Sequence, residues 1–220
     1  MKSIDTIRLR AILGWLGLLL PWIVLGLCLW FKCVPWHIVP DSISITYYYA
    51  PTITPFMIIL GAAGILLICY RGYNHFDDAI NTITGIAGLG ICLFPCATGT
   101  GELVGTFQLN EMTSGWIHNS CALSFFGLLA YNSLFIFTKS SGDKTRNKKI
   151  RNIIYIICGI GMILSLLGII AVVVFNIHAG TWLVETVALF FFGLSFLTKA
   201  DIYPWLFCDS PHVDEPTDNA

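Results

Sequence analysis

The chain has 220 residues, 56% of them apolar and only 11% charged, with a formal net charge of −1. Soluble domains carry charge on about a quarter of their residues, so this composition, with a mean hydropathy of +0.76, excludes an ordinary soluble domain. Its eight cysteines contain no CxxC pair and point to neither a zinc finger nor a dithiol redox motif.

Hydrocarbon about 30 Å thick needs roughly 20 helical residues to cross it. Six segments meet that need: 11–31, 52–69, 79–95, 116–138, 153–175 and 182–198. They predict an all-α fold, a polytopic transmembrane bundle of six spans filling residues 1–200. An acidic, proline-bearing tail follows over 201–220, with the composition of a disordered segment. The first span is preceded by Lys2, Arg8 and Arg10 and has no small-residue cleavage site after it, so it reads as an uncleaved anchor. Pro21, in mid-span, predicts a kink.

Span three grows out of the polar turn YRGYNHFDD, which contains Arg71, Asp77 and Asp78. Carboxylates at a helix start suit its positive end and can cap free N–H groups. The same pair could instead form a gate with Arg151 or Lys199. Beyond the turn, Thr84, Gly88, Cys92 and Cys96 recur every fourth residue. A face that smooth lets helices approach closely in lipid, which predicts a central position for this span. Span five has a similar face, Cys158, Gly161, Ser165 and Gly168, and is also expected to pack centrally.

Lysine and arginine fix the expected orientation. With six spans, every one of them except Lys32 falls on a single side, densest over 144–151. By the positive-inside rule that side is the cytoplasm, and both termini are cytoplasmic. The basic run from Lys144 to Arg151 is expected to attract anionic lipid head groups, and it does not support nucleic-acid binding.

The outer side is then built from 32–51, 96–115 and 176–181. Two ionisable residues sit inside spans near that side, His118 and Glu185. Because charge in hydrocarbon is costly, each marks a candidate site. Asn132 lies fourteen residues after His118, on roughly the same helical face. A pocket open to the outer face, with His118 and Glu185 as anchors, Tyr47 and Tyr48 as its wall and Asn132 on the stripe, would hold a lipid head group or a small polar ligand. A histidine beside a carboxylate can shuttle a proton, bind a metal or hold a polar group. It can equally be a buried hydrogen bond that fixes helix packing.

These residues point first to a small binding, transport-like or sensory membrane module that needs no cofactor. One alternative is a metal-assisted hydrolase acting on a lipid, with His118, His178 and Glu185 as ligands, although no HxxxH or HExxH pair is present. Another is a structural subunit whose small-residue faces receive partner helices. Transport is weakened by the lack of an internal repeat or paired broken helices. Cys33 and Cys96, both at the outer edge, could form a disulfide in an oxidising compartment.

Several segments together carry a family resemblance: SISITYYY, YRGYNHFDD, GLGICLFP, SFFGLLAYNSLFIFTK following His118, and WLVETVALFFFGLSFLTK. From Ser42 to Lys199 the chain resembles a group of uncharacterised bacterial six-span membrane proteins, which read S-I-S-x-Y-Y, Y-R-G-Y-D-x-x-D and L-F-P-T at matching places. The resemblance implies six helices and a bacterial inner membrane, and brings no activity with it. The chain departs from that pattern at Asn74 and Cys96.

Overall fold

A computed structural model describes residues 4–35, 38–139 and 146–201. Six helices account for nearly all of it: α1 (Ile4–Trp30), α2 (Ala50–Cys69), α3 (His75–Leu93), α4 (Glu111–Tyr131, continued by a wide-turned π segment Asn132–Ile136), α5 (Arg146–Phe175) and α6 (Gly180–Lys199). Each overlaps one of the expected spans. α1 runs on through Pro21 without a break in its helical assignment. Among the described residues the strand content is one short hairpin of two-residue strands, β1 (Leu103–Val104) against β2 (Leu109–Asn110), in the loop between α3 and α4.

Five of the helices are long and apolar enough to cross a membrane, and α3 is not among them. Its first turns hold Asp77, Asp78 and Asn81, which lower its hydropathy. The outward surfaces of the helices are apolar, with Trp22, Ile58, Leu164, Ile170 and Phe175 all more than half exposed. In water that surface would be an aggregation hazard; against lipid it is the natural exterior.

Each helix packs on its neighbours in sequence, and α6 closes back on α1, so the six form a ring. The glycine contacts set the crossings. A Cβ on Gly193 would lie 2.7 Å from the Gly14 carbonyl oxygen, so α1 and α6 meet backbone to backbone. Gly64 and Gly85 do the same for α2 and α3, where a Cβ on Gly64 would lie 2.9 Å from the Gly85 oxygen. Phe56, Phe125, Leu129, Phe192 and Phe196 fill the interior.

The ring corrects two expectations. α3 is one of six ring members and not the centre, although its stripe Thr84, Gly88 and Cys92 is buried as foreseen. α5 is peripheral: its most apolar window is 22% buried, against 50% for α6. Its small-residue face serves one neighbour, α6, whose Phe191 fills the notch at Gly161.

The start of α1 and the end of α6 lie at the same end of the ring, where Arg10 donates to the Lys199 carbonyl. That end also holds the 70–75 turn and the end of α4. Residues 31–35 and 38–49, the 94–110 segment and the α5–α6 turn make up the opposite end.

Candidate functional site

At the end of the ring opposite Arg10, the segment between α1 and α2 turns inward and plugs the bundle. Ser42 starts that turn by accepting from the Ile45 N–H at 3.0 Å, which leads into a short 3-10 stretch, Ser44–Tyr48. Thr46 and Thr52, both fully buried, lock it: the Thr46 hydroxyl donates to the Ile43 carbonyl and the Thr52 hydroxyl to the Thr46 carbonyl, each at 2.6 Å. The turn delivers one hydroxyl, Ser44 Oγ, into the space between α4 and α6.

That hydroxyl joins the two ionisable residues. Glu185 Oε1 lies 3.2 Å from Ser44 Oγ, and His118 Nε2 lies 3.0 Å from the same atom. The remaining positions are fixed from outside: Glu185 Oε2 accepts from the Ile43 N–H at 2.5 Å, and His118 Nδ1 lies 2.8 Å from the Phe94 carbonyl. A carbonyl can only accept, so Nδ1 carries the hydrogen, and Nε2 is the ring atom whose protonation can change. His118 is 3% exposed and Glu185 is half-buried.

Comparison with protein-family models, characterised proteins and solved structures finds no match. The site is therefore read from its own chemistry.

Beside Ser44 and Glu185 lies a cavity of about 40 Å³, whose other walls are apolar, among them Leu20, Phe56, Phe125 and Leu189. It has room for a few water molecules. A lipid head group does not fit, which narrows the pocket expected from the sequence. Tyr47 and Tyr48 do not line it. They pack edge to face at 5.4 Å, and the Tyr48 hydroxyl is spent on the Cys96 carbonyl at 2.5 Å. Asn132 lies elsewhere, fully buried at the π segment, with Nδ2 donating to the Leu128 carbonyl at 3.1 Å. The fourteen-residue spacing carries it some 21 Å along the helix, at about 1.5 Å per residue.

His178 does not join His118 and Glu185. It pairs with Asp41 at 2.8 Å on the exposed rim. Among the described residues, no three histidine, cysteine, aspartate or glutamate side chains group as metal ligands. Cys33 and Cys96 are both free thiols. Burial, helped by the nearby Glu185 carboxyl, pushes the Cys96 thiol up to about 12. Burial likewise pushes the Tyr48 phenol up to about 12.

Pro95 helps end α3, and the three carbonyls at that exit are each claimed by a side chain: Phe94 by His118, Pro95 by Ser114, Cys96 by Tyr48. Next to them the loop 98–101 folds around Glu111. The N–H groups of Thr98, Gly99, Thr100 and Gly101 and the hydroxyls of Thr98 and Thr100 all point at that carboxylate, the shortest at 2.7 Å. Such a concavity of successive N–H groups suits an anion, and it needs the left-handed backbone that Gly99 (φ 81°) and Gly101 (φ 74°) supply. In the sequence the nest shows itself only as a glycine- and threonine-rich stretch, ATGTG over 97–101.

The opposite end carries the polar turn. Its helix cap is Asn74, whose side chain accepts from the Asp77 N–H at 2.9 Å. The two carboxylates instead reach back: Asp78 accepts from the Gly72 N–H at 2.7 Å and Asp77 from the Tyr73 N–H at 3.2 Å. Asp77, fully buried, takes Lys139 at 2.6 and 2.8 Å, and Asp78 faces Arg71 at 3.6 Å. The partners considered from sequence go elsewhere. Arg151 pairs with Asp201 at 2.7 Å, and Lys199 donates to the Tyr73 hydroxyl at 2.9 Å and the Phe137 carbonyl at 3.3 Å. The Lys199 ammonium also lies 5.2–5.6 Å from the ring centres of Phe137, Tyr73 and Tyr155. Of the basic cluster, Lys148 turns back to the Phe137 carbonyl at 3.0 Å. Lys144 lies outside the described residues, as does the tail after Asp201.

Proposed function

We propose that the chain is a six-span protein of the bacterial inner membrane that works as a small sensory or binding module, its polar site opening toward the outer face. α3 completes the six spans in this reading. Its 19 residues reach about 28 Å at 1.5 Å each, and it packs between α2 and α4, with its carboxylates confined to one end. The cationic side chains Arg10, Arg71, Lys139, Lys148, Arg151 and Lys199 gather at that same end, which the positive-inside rule assigns to the cytoplasm. A partner-helix role would leave Thr84, Gly88 and Cys92 outside, and they are buried.

The observation that carries the reading is the sharing of Ser44 by His118 and Glu185. A serine hydroxyl has one hydrogen and must choose between them. In one arrangement Glu185 is a carboxylic acid donating to Ser44, and Ser44 donates to a neutral His118. In the other, a charged His118 donates to Ser44, and Ser44 donates to a carboxylate. The heavy atoms need not move between them. The cluster thus holds one transferable proton beside a water-sized cavity, and its state decides how tightly Glu185 grips the Ile43–Ser44 turn. The ligand this favours is a proton or a small polar guest at the cavity. Of the other titratable groups, the Cys96 thiol is near the Glu185 carboxyl and the His178–Asp41 pair stands at the rim; α1 and α2 bring only apolar side chains to the cavity.

The competing reading is a packing staple that serves the exit carbonyls of α3. Carboxyl-carbon NMR of Glu185 in lipid nanodiscs separates the two. The expected result is that Ser44→Ala and His118→Gln each move its titration midpoint by about one pH unit or more, a coupling of about 1.4 kcal/mol. A midpoint that stays put in both folded variants would leave only the staple.

A further inference from the structure

At its outer end α1 closes with a left-handed cap: Lys32 has φ 56°, the Lys32 N–H bonds the Leu29 carbonyl at 3.2 Å, and the Cys33 N–H bonds the Cys28 carbonyl at 2.8 Å. This paired pattern usually brings its first and last residues into apolar contact. Here both of those residues are cysteines, so the cap sets the two side chains next to each other. Cys28 is fully buried and Cys33 partly exposed. A disulfide spans Cα pairs about 4.4–6.8 Å apart, and the cap holds the two residues by a direct backbone bond.

We propose that Cys28 and Cys33 form an oxidisable dithiol at the outer membrane edge, closed to a disulfide by a disulfide-bearing oxidoreductase or small-molecule disulfide of that compartment. The inference rests on the orientation given under the proposed function. Cys33, the accessible thiol, loses its proton and attacks one sulfur of the carrier disulfide, expelling the first carrier thiolate. Cys28, on losing its proton, attacks the Cys33 sulfur of the mixed disulfide, expelling the second. Two electrons and two protons pass from the chain to the carrier, and one S–S bond forms as another breaks. The closed bridge pins the cap from which the chain runs to Ile43 and Ser44, the turn held by Glu185. Cys96, the partner suggested by sequence for Cys33, lies at the exit of α3, where its carbonyl is held by the Tyr48 hydroxyl.

The test uses the full chain, quenched with acid from growing cells and alkylated before and after reduction. Mass spectrometry should find the peptide holding Cys28 and Cys33 unalkylated before reduction and doubly alkylated after. In Cys33→Ser, Cys28 should be alkylated before reduction. Both cysteines alkylated before reduction in the parent chain would overturn the proposal. Geometry is checked apart from compartment: dithiodipyridine added to detergent-purified protein should close the bridge, and a lasting mixed disulfide on Cys33 would count against it. Orientation has its own readout, labelling of Glu102→Cys and Lys144→Cys in intact cells with an impermeant maleimide. Labelling at 144 and not at 102 overturns the compartment assigned here, whatever dithiodipyridine does.

Discussion

The two ends of the ring solve the same problem by different means. Both must place polar groups among apolar helices, where an unpaired charge is costly. The end with the chain's basic residues pairs full charges: Asp77 with Lys139, Arg151 with Asp201, and Lys199 among three aromatic rings. Every helix of the ring contributes there, Arg10 of α1 by donating to the Tyr70 hydroxyl at the end of α2 at 2.9 Å. The other end has fewer ionisable groups and joins two of them, His118 and Glu185, through a neutral hydroxyl, Ser44. Charge pairs with both partners committed resist change. A chain of hydrogen bonds with one shared proton can change state without moving an atom heavier than hydrogen. The difference is between an end whose charges are already paired and an end that, in the function proposed here, responds.

The severest way to break this comparison is at Asp77. Asp77→Asn removes the charge that holds Lys139 while keeping the side chain's shape. Breaking a buried ion pair costs about 3–5 kcal/mol, but Lys139 is 40% exposed and can turn to water. The expected loss is therefore about 2–3 kcal/mol, seen as a fall of roughly 5–10 °C in the fluorescence-detected melting of the detergent-solubilised protein. Ser44→Ala should cost less, about 1–2 kcal/mol, by leaving His118 Nε2 and Glu185 Oε1 without their common partner. Equal losses from the two variants would erase the distinction between the ends.

Much of the framework was readable because membrane spans are written in long apolar runs, and all six helices overlap the segments so marked. Burial of the Thr84–Gly88–Cys92 stripe was readable too, since small residues at helical spacing have one efficient use in lipid. Which side chains pair was not. Lys139, Arg151 and Lys199 all lie at the same end, and it is the tertiary fold that gives Asp77 to Lys139. In the sequence Ser44 is less conspicuous than its neighbours Tyr47 and Tyr48, which look more like a binding wall. A serine's role as a joint depends on the turn begun by Ser42, which brings it between α4 and α6. Asn74 carries a clearer signal, since asparagine just before a helical run is among the preferred N-caps.

The mildest prediction sharpens what is meant by a charge pair at the basic end. Arg71 and Asp78 lie 3.6 Å apart, but the arginine side chain is 78% exposed. Exposed pairs gain little because water screens them and two long side chains must be held still. Asp78 has its own tie in the Gly72 N–H, so it is not stranded when the arginine goes. Arg71→Ala should therefore shift stability by no more than about 0.5 kcal/mol, within the scatter of replicate melts. A loss as large as that of Asp77→Asn would mean that the turn 70–75 is held by its arginine. The strength of that end would then lie in charge count alone, with burial and the Asn74 cap counting for little.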